Sequence, residues 1–425
     1  MSRRAATPDE RAGEELLTRR AFVRLAGLAL GGVAAAGMAG SRLAGPASEA
    51  ARGDMMFEYL TDRAKFKSPA FMVANRLADS LPVFGSSELS TSMRDIPQVP
   101  LGTFGMHDYG LDLWCVGEGY NQSLWHAIAL GAHFRAMEVA GRVRGGVRTG
   151  AFDAEASNKA VLIISPQWFY EGGVPANAAQ AQFGYGLWRG LCANGRVSDE
   201  HKDYLARRLL DLGVDPLRVR AGRRLGVAEA INDVALSLED GYDLRRELER
   251  TRLMGASRAR AKERPGAIEG VPDWDSLRAS ALVEARSSTT TNDFGMLDSF
   301  WQAKNAVDFE AGKLEGFLRY RSLTKAPTED ADLDCCLGVA ADCGVDLLCV
   351  LLPFPGAWAD YEQLSQDERG RRYGLMREAC GRAGCRVCDL TGEEYTPYFI
   401  FDGTHLGWVG WLTVEQAIYE FAMGD

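Results

Sequence analysis

Five short apolar runs constrain the fold of this 425-residue chain more tightly than any other feature. They are Leu81–Phe84, Leu111–Val116, Ala160–Ile164, Val345–Leu352 and Cys385–Leu390, and each ends in Gly, Ser or Pro or in a polar turn. A strand with one solvated face alternates apolar and polar residues. A short continuous run instead marks a strand covered on both faces, as in a parallel sheet. Segments with helical apolar spacing separate the runs, among them Gln122–Val139 and Gln366–Ala379. Strands alternating with helices predict a doubly wound α/β fold. The 47 glycines suit its many tight strand-to-helix turns. In such folds ligands bind beyond the carboxyl ends of the strands, so those ends are where chemistry is sought.

Between about residues 180 and 325 the strand signals fade and charged helical patterns take over, which predicts a helical insertion between the third and fourth strands. Ser198 is a helix N-cap there, and Ser287–Asp293 is a polar loop. Arg218, Arg220, Arg223 and Arg224 cluster in the same region; such a run is a solvated helix face or a contact for an anionic polymer.

The first fifty residues are of another kind. Thr18-Arg-Arg-Ala-Phe-Val-Arg24 precedes an almost charge-free run from Leu25 to Gly40. A basic flank before an apolar segment is the pattern of a signal peptide or signal anchor, and the paired arginines resemble a twin-arginine export signal. Residues 1–50 therefore read as a signal or anchor helix with its linker. Residues 47–66 are mixed and polar, and a helical stretch is expected from there to about Ser80. Residues 51–425 read as one extracytoplasmic α/β domain carrying the insertion.

Composition excludes several classes. A chain that is 46% hydrophobic and 25% charged is neither disordered nor a small disulfide scaffold. A net charge of −10 supplies no overall field for nucleic acid, so none is expected as a partner. Cys385-x-x-Cys388 is the only CxxC among nine cysteines, and strand geometry points its two thiols to opposite faces. His126 and His133, seven apart on one helix face, read as satisfied helix histidines, and a metal there would lack further ligands. No motif requires a metal or an organic cofactor.

Three strand ends carry polar groups. After the first, Gly85-Ser86-Ser87-Glu88 places a serine above the sheet at a helix N-terminus, as an N-cap or as a nucleophile whose neighbouring amides stabilise an oxyanion. After the second, Gly117-Glu-Gly119 permits close backbone approach and a free amide donor. Near the C-terminus, Asp402-Gly-Thr-His405 presents a carboxylate and an imidazole on one short loop. The carboxylate can hold the ring tautomer while the other nitrogen faces a nucleophile. Gly-x-Ser-x-Gly is absent, which disfavours an α/β-hydrolase elbow.

The order Ser…Asp…His, with Asp and His close together, resembles the SGNH hydrolase superfamily. Gly85-Ser-Ser-Glu-Leu89, Gly119-Tyr-Asn-Gln-Ser-Leu124, Ser165-Pro-Gln-Trp-Phe169, Trp358 with Asp360-Tyr361, Glu394-Tyr-Thr-Pro-Tyr-Phe399 and Asp402-Gly-Thr-His-Leu-Gly-Trp-Val-Gly-Trp411 together resemble the DltD family of D-alanyl-lipoteichoic acid biosynthesis proteins. The resemblance runs from about residue 81 to 425. It implies an SGNH or flavodoxin-like three-layer sheet. It also implies Ser87, His405 and Asp402 as catalytic residues, and an oxyanion hole from Ser87, Gly119 and Gln167. Ser86, Glu88, Trp168 and Trp358 are the expected substrate contacts. Two departures stand out: Ser86 replaces the Asp of Gly-Asp-Ser, and Gln167 stands where many SGNH enzymes carry Asn.

The function so implied is D-alanyl transfer to lipoteichoic acid, a Gram-positive cell-wall polymer, through an acyl-enzyme. Two alternatives stay open: an extracytoplasmic esterase or thioesterase acting on a D-alanyl (thio)ester, and a non-catalytic carrier-binding scaffold. The implied partners are a membrane-bound O-acyltransferase, a D-alanyl donor and a glycerol-phosphate polymer. The implied location is the cell membrane, with the domain outside and either a retained anchor or twin-arginine export.

Overall fold

A computed structural model of the chain describes residues 79–140, 149–154, 156–170, 173–255, 268–310, 323 and 326–424. The expected signal or anchor helix, its linker and the helical stretch before residue 79 lie outside the described residues. Among the described residues no helix is long and apolar enough to cross a membrane.

All five apolar runs form strands: β1 (Ser80–Phe84), β2 (Asp112–Val116), β3 (Lys159–Ile164), β4 (Asp346–Leu351) and β5 (Arg386–Asp389). They make one parallel sheet in the order β2-β1-β3-β4-β5. Its longest pairing runs in register from Lys159↔Asp346 to Ile164↔Leu351. The order reverses at β1 and β3, so the crevice between their carboxyl ends is the topological switch point where ligands of such sheets bind.

The continuity of the runs has a direct cause. Phe84, Trp114, Val116, Ala160, Leu162, Ile164, Leu347, Cys349 and Leu351 point into one core. The alternate residues Leu81, Val83, Leu113, Val161, Ile163, Leu348 and Val350 point into a second core on the opposite face. Helix α1 (Ser123–Ala140) covers the first face. The insertion supplies α2 (Ala176–Gln182), α3 (Tyr185–Cys192), α4 (Asp199–Asp211), α5 (Pro216–Arg223), α6 (Val227–Gly255) and α7 (Trp274–Ser288), followed by short turns at Asp298–Phe300 and Ala306–Glu310. Helices α8 (Pro327–Asp342), α9 (Gly356–Tyr361), α10 (Gln366–Arg382) and α11 (Trp408–Met423) complete the described chain. Helices α8 and α10 join α1 on the first face, while α7 and α11 cover the second. The result is three layers.

One strand departs from expectation. β5 is not covered on both faces: it is one of the two edge strands, and three of its four residues are exposed. Arg386 and Asp389 within the run are the reason, since a strand interrupted by charges is suited to an edge. Cys385 and Cys388 do point to opposite cores. The arginine cluster is engaged within the domain at three of its four positions: Arg218 pairs with Glu239 at 2.9 Å, Arg223 with Asp203 at 2.7 Å and Arg224 with Asp233 at 2.5 Å.

Candidate active site

The site sits above the carboxyl ends of β1, β2 and β3. From β1 the chain turns through Gly85 and Ser86 into a short 3-10 helix that begins at Ser87. Gly85 leaves room for the Glu88 carboxylate, which a Cβ there would meet at 2.5 Å. That carboxylate folds back to accept the Ser86 N–H at 2.5 Å, which fixes the turn. Ser86 is itself 2% exposed, and its hydroxyl donates to the Glu118 carbonyl at 3.4 Å. The loop after β2 closes against this turn: a Cβ on Gly117 would lie 1.8 Å from the Gly85 carbonyl oxygen. Gly119 follows directly beside the serine, since a Cβ there would lie 3.9 Å from Ser87 Cβ.

The other half of the site comes from residues 396–407. Asp402, 3% exposed, uses its two oxygens for different tasks. Oδ1 accepts the backbone N–H groups of Thr404 and His405, each at 2.7 Å, which ties the loop into a fixed turn. Oδ2 lies 2.7 Å from His405 Nδ1. A carboxylate only accepts, so Nδ1 carries the proton and Nε2 keeps its lone pair. His405 Nε2 lies 2.7 Å from Ser87 Oγ. The hydroxyl therefore donates to the imidazole, and Ser87, His405 and Asp402 form one hydrogen-bonded line.

Two glycines allow this loop to lie on α11. A Cβ at Gly407 would meet the Tyr398 carbonyl oxygen at 2.5 Å, and one at Gly410 would meet the Phe399 carbonyl oxygen at 2.1 Å. Trp408 and Trp411, fully buried, anchor the helix below. The spacing His-Leu-Gly-Trp-Val-Gly-Trp is the covalent record of that packing.

The electrostatics strengthen the imidazole as a proton acceptor. Burial pushes the His405 pKa down, but the Asp402 hydrogen bond and charge, with the Glu88 charge, reverse this and hold it above its ordinary value. Glu88 shows the opposite balance. Burial raises its pKa, outweighing the hydrogen bonds from Ser86 and its own amide and the attraction of His405.

Gln167 lies in the 3-10 turn Pro166–Phe169 after β3, the strand next to β1. Its side chain is half-buried and makes no hydrogen bond within the described residues. Its neighbours clamp the turn: the Trp168 ring lies 5.4 Å from that of His126, and the buried Arg372 guanidinium stacks 4.2 Å from the centre of Phe169. Trp168 is 1% exposed and belongs to the core beneath the turn. Ser86 and Glu88 are likewise buried, and both brace the Ser87 turn. Trp358 borders the Asp402 loop, 3.8 Å from where a Cβ on Gly403 would stand, but only 8% of it is exposed. It packs among Met296, Trp301, Phe294 and Tyr361.

Some residues that hold the site were not singled out by sequence. Gln182, at the end of α2, donates to the Gly119 carbonyl and accepts from Asn121 Nδ2 at 3.0 Å, while Asn121 Oδ1 accepts the Glu118 N–H at 2.7 Å. The Gly119 loop is thus pinned from the insertion, 63 residues away in sequence. Asp360 and Glu394 converge on the buried Arg369 guanidinium, with Tyr373 donating to Glu394 at 2.6 Å. These motif residues are architectural. Among the described residues no group of three or more His, Cys, Asp or Glu is arranged to hold a metal ion.

Residues 61–143 and 148–423 match the family described as DltD protein. The chain belongs to the DltD family. Among its relatives is Protein DltD of Bacillus subtilis (strain 168), 26% identical over 383 residues and 88% of each chain. Protein DltD of Staphylococcus aureus (strain NCTC 8325 / PS 47) is 22% identical over 345 residues, 81% of each chain. Protein DltD of Lacticaseibacillus rhamnosus is 27% identical over 361 residues, covering 80% of this chain and 77% of its own. The DltD match takes in both halves of the Ser87–His405 pair and the whole sheet.

Proposed function

We propose that this DltD-family chain is an SGNH-type O-acyltransferase that passes a D-alanyl group to a hydroxyl of lipoteichoic acid. The observation that carries the reading is the hydrogen-bonded line from Ser87 through His405 to Asp402 at the switch point of the sheet. As Ser87 Oγ attacks the carbonyl of a D-alanyl ester or thioester, its proton passes to His405 Nε2. The Asp402 carboxylate stabilises the imidazolium that forms. The leaving alcohol or thiol departs with that proton, giving a D-alanyl-Ser87 ester. A polymer hydroxyl then gives its proton to Nε2 and attacks the ester, and Ser87 Oγ leaves protonated.

The oxyanion formed in each step would be met by the Ser87 and Gly119 amides and by the Gln167 side chain. In the same reading the domain works on the outer membrane face. The Leu25–Gly40 segment is its anchor or export signal, and the alanyl group arrives through a membrane-bound O-acyltransferase.

The test is D-alanine content on purified polymer. Ser87→Ala and His405→Ala should each abolish transfer while the variants keep the wild-type circular dichroism and melting temperature. Normal D-alanylation by Ser87→Ala would overturn the reading. Free D-alanine released at equal rate with and without polymer would identify a hydrolase. A fluorophosphonate adduct on Ser87 would exclude a non-catalytic scaffold.

A further inference from the structure

The carboxyl end of α10 is closed by a Schellman turn. Gly384 adopts φ +70°, the Cys385 N–H donates to the Cys380 carbonyl at 3.1 Å, and the Gly384 N–H donates to the Gly381 carbonyl at 3.1 Å. This arrangement brings the third-last helical residue and the second residue beyond the cap into side-chain contact, a place usually held by two hydrophobes. Here both are cysteines. On the strand beneath, Cys349 packs into the same core as both Cys380 and Cys385. All three thiols are free. Cys349 and Cys380 are fully buried, whereas Cys385 is partly exposed.

We propose that Cys380 and Cys385 form an oxidation site, in which a small peroxide reacts at the accessible Cys385 and Cys380 closes the disulfide. The turn supplies the geometry. A disulfide needs Cα atoms roughly 4.4–6.8 Å apart, and a backbone hydrogen bond spanning five residues draws these two together. Reactivity is graded in the same sense. The neighbouring Cys349 thiol holds the Cys385 pKa below its ordinary value against an opposing effect of burial. Burial raises Cys192, Cys335, Cys336 and Cys388 instead.

The step balances. The Cys385 thiolate attacks one peroxide oxygen, the O–O bond breaks, and Cys385 becomes a sulfenic acid as the other oxygen leaves as hydroxide. The Cys380 thiolate then attacks the Cys385 sulfur. The S–S bond forms, the S–O bond breaks, and the second oxygen leaves as hydroxide. With the two thiol protons the products are a disulfide and two waters from one hydrogen peroxide. The site lies at the amino end of β5, the end of the sheet opposite Ser87.

The experiment uses the folded full-length chain, treated with hydrogen peroxide, blocked with iodoacetamide and cut with trypsin. Cleavage after Arg377, Arg382 and Arg386 puts Cys380 in peptide Glu378–Arg382 and Cys385 in Ala383–Arg386. The expected result is these two peptides joined by a disulfide, with two of the nine thiols lost on titration in denaturant. In Cys380→Ser, Cys385 should stay as a sulfenic acid and take up dimedone. Both peptides recovered alkylated after another cysteine has oxidised would overturn the proposal, as would Cys385 joined to Cys349 or Cys388. Wild-type mapping alone decides the matter if the variant fails to fold.

Discussion

Replacing Asp402 by Asn tests the site at its most constrained point. The carboxylate meets three N–H groups, two from the backbone and one from His405. The amide of Asn has one acceptor oxygen and one donor nitrogen. If the oxygen stays with the Thr404 and His405 amides, the NH₂ faces Nδ1 and forces the proton to Nε2, which can then no longer take the Ser87 proton. If the amide flips, its NH₂ opposes two backbone donors and the loop loosens. The first arrangement keeps more hydrogen bonds and should dominate. The expected outcome is a fall in kcat of about 10³–10⁴, roughly 4–5.5 kcal/mol of barrier. Exchanging charge-assisted hydrogen bonds for neutral ones should cost only about 1–3 kcal/mol of stability.

The pH dependence gives an independent sign. The Asp402 hydrogen bond and charge, with the Glu88 charge, hold the His405 pKa up against burial. Without the Asp402 charge, burial prevails and the pKa falls. Residual activity should therefore rise at lower pH than in wild type. Single-turnover acyl transfer measured from pH 5 to 9 would show both effects. A variant with near-wild-type kcat, or with the same midpoint on its acidic limb, would refute the assignment of Asp402 as the group that holds the imidazole.

Other expectations follow from neighbouring contacts. Gln167→Ala should lower kcat by roughly 10²–10³ with little change in Tm if its amide meets the oxyanion; a lower Tm with a few-fold loss of rate would assign it to the turn instead. Gly410→Ala must displace the Phe399 carbonyl oxygen, 2.1 Å from the new Cβ, and should cost about 3 kcal/mol in urea unfolding. Burial first, then the Asp332 charge, raises the Glu329 pKa to about 8 against the Ser123 hydrogen bonds and the Arg208 charge. The folded state thus holds a proton that the unfolded chain releases near its ordinary value of 4.5. Stability should decline as pH rises from that value to about 8, and Glu329→Gln should flatten the decline in Tm.

The sheet was legible because burial on both faces leaves a plain mark. Ala160–Ile164 has no polar residue on either side of the pleat, and both cores claim it. β5 departs from the expected burial because Arg386 and Asp389 interrupt the apolar members Val387 and Leu390 and mark an edge. Ser87, Asp402 and His405 were legible because each stands in a local pattern whose spacing has a steric or hydrogen-bonding cause. The support of the site was not. Gln182 reaches Gly119 from an inserted helix, and no local pattern announces a side chain acting across 63 residues. Trp168 and Glu88 adjoin site residues in sequence but turn inward, and adjacency along a chain says nothing about which way a short 3-10 turn points its side chains.

The partners of the central hydrogen bond, His405 and Ser87, stand 318 residues apart. The base and its carboxylate belong to one loop, but the hydroxyl they serve was laid down near the opposite end of the described chain. During synthesis the serine turn emerges long before the residue that accepts its proton in the proposed mechanism, and a polypeptide halted between the two carries a serine without that partner. Closing so long a loop is a penalty that grows only slowly with length, about 0.6 kcal/mol per doubling, and the completed sheet supplies the means. In the proposed mechanism reactivity is thereby deferred until translation has passed the last strand, so a half-made chain is chemically silent.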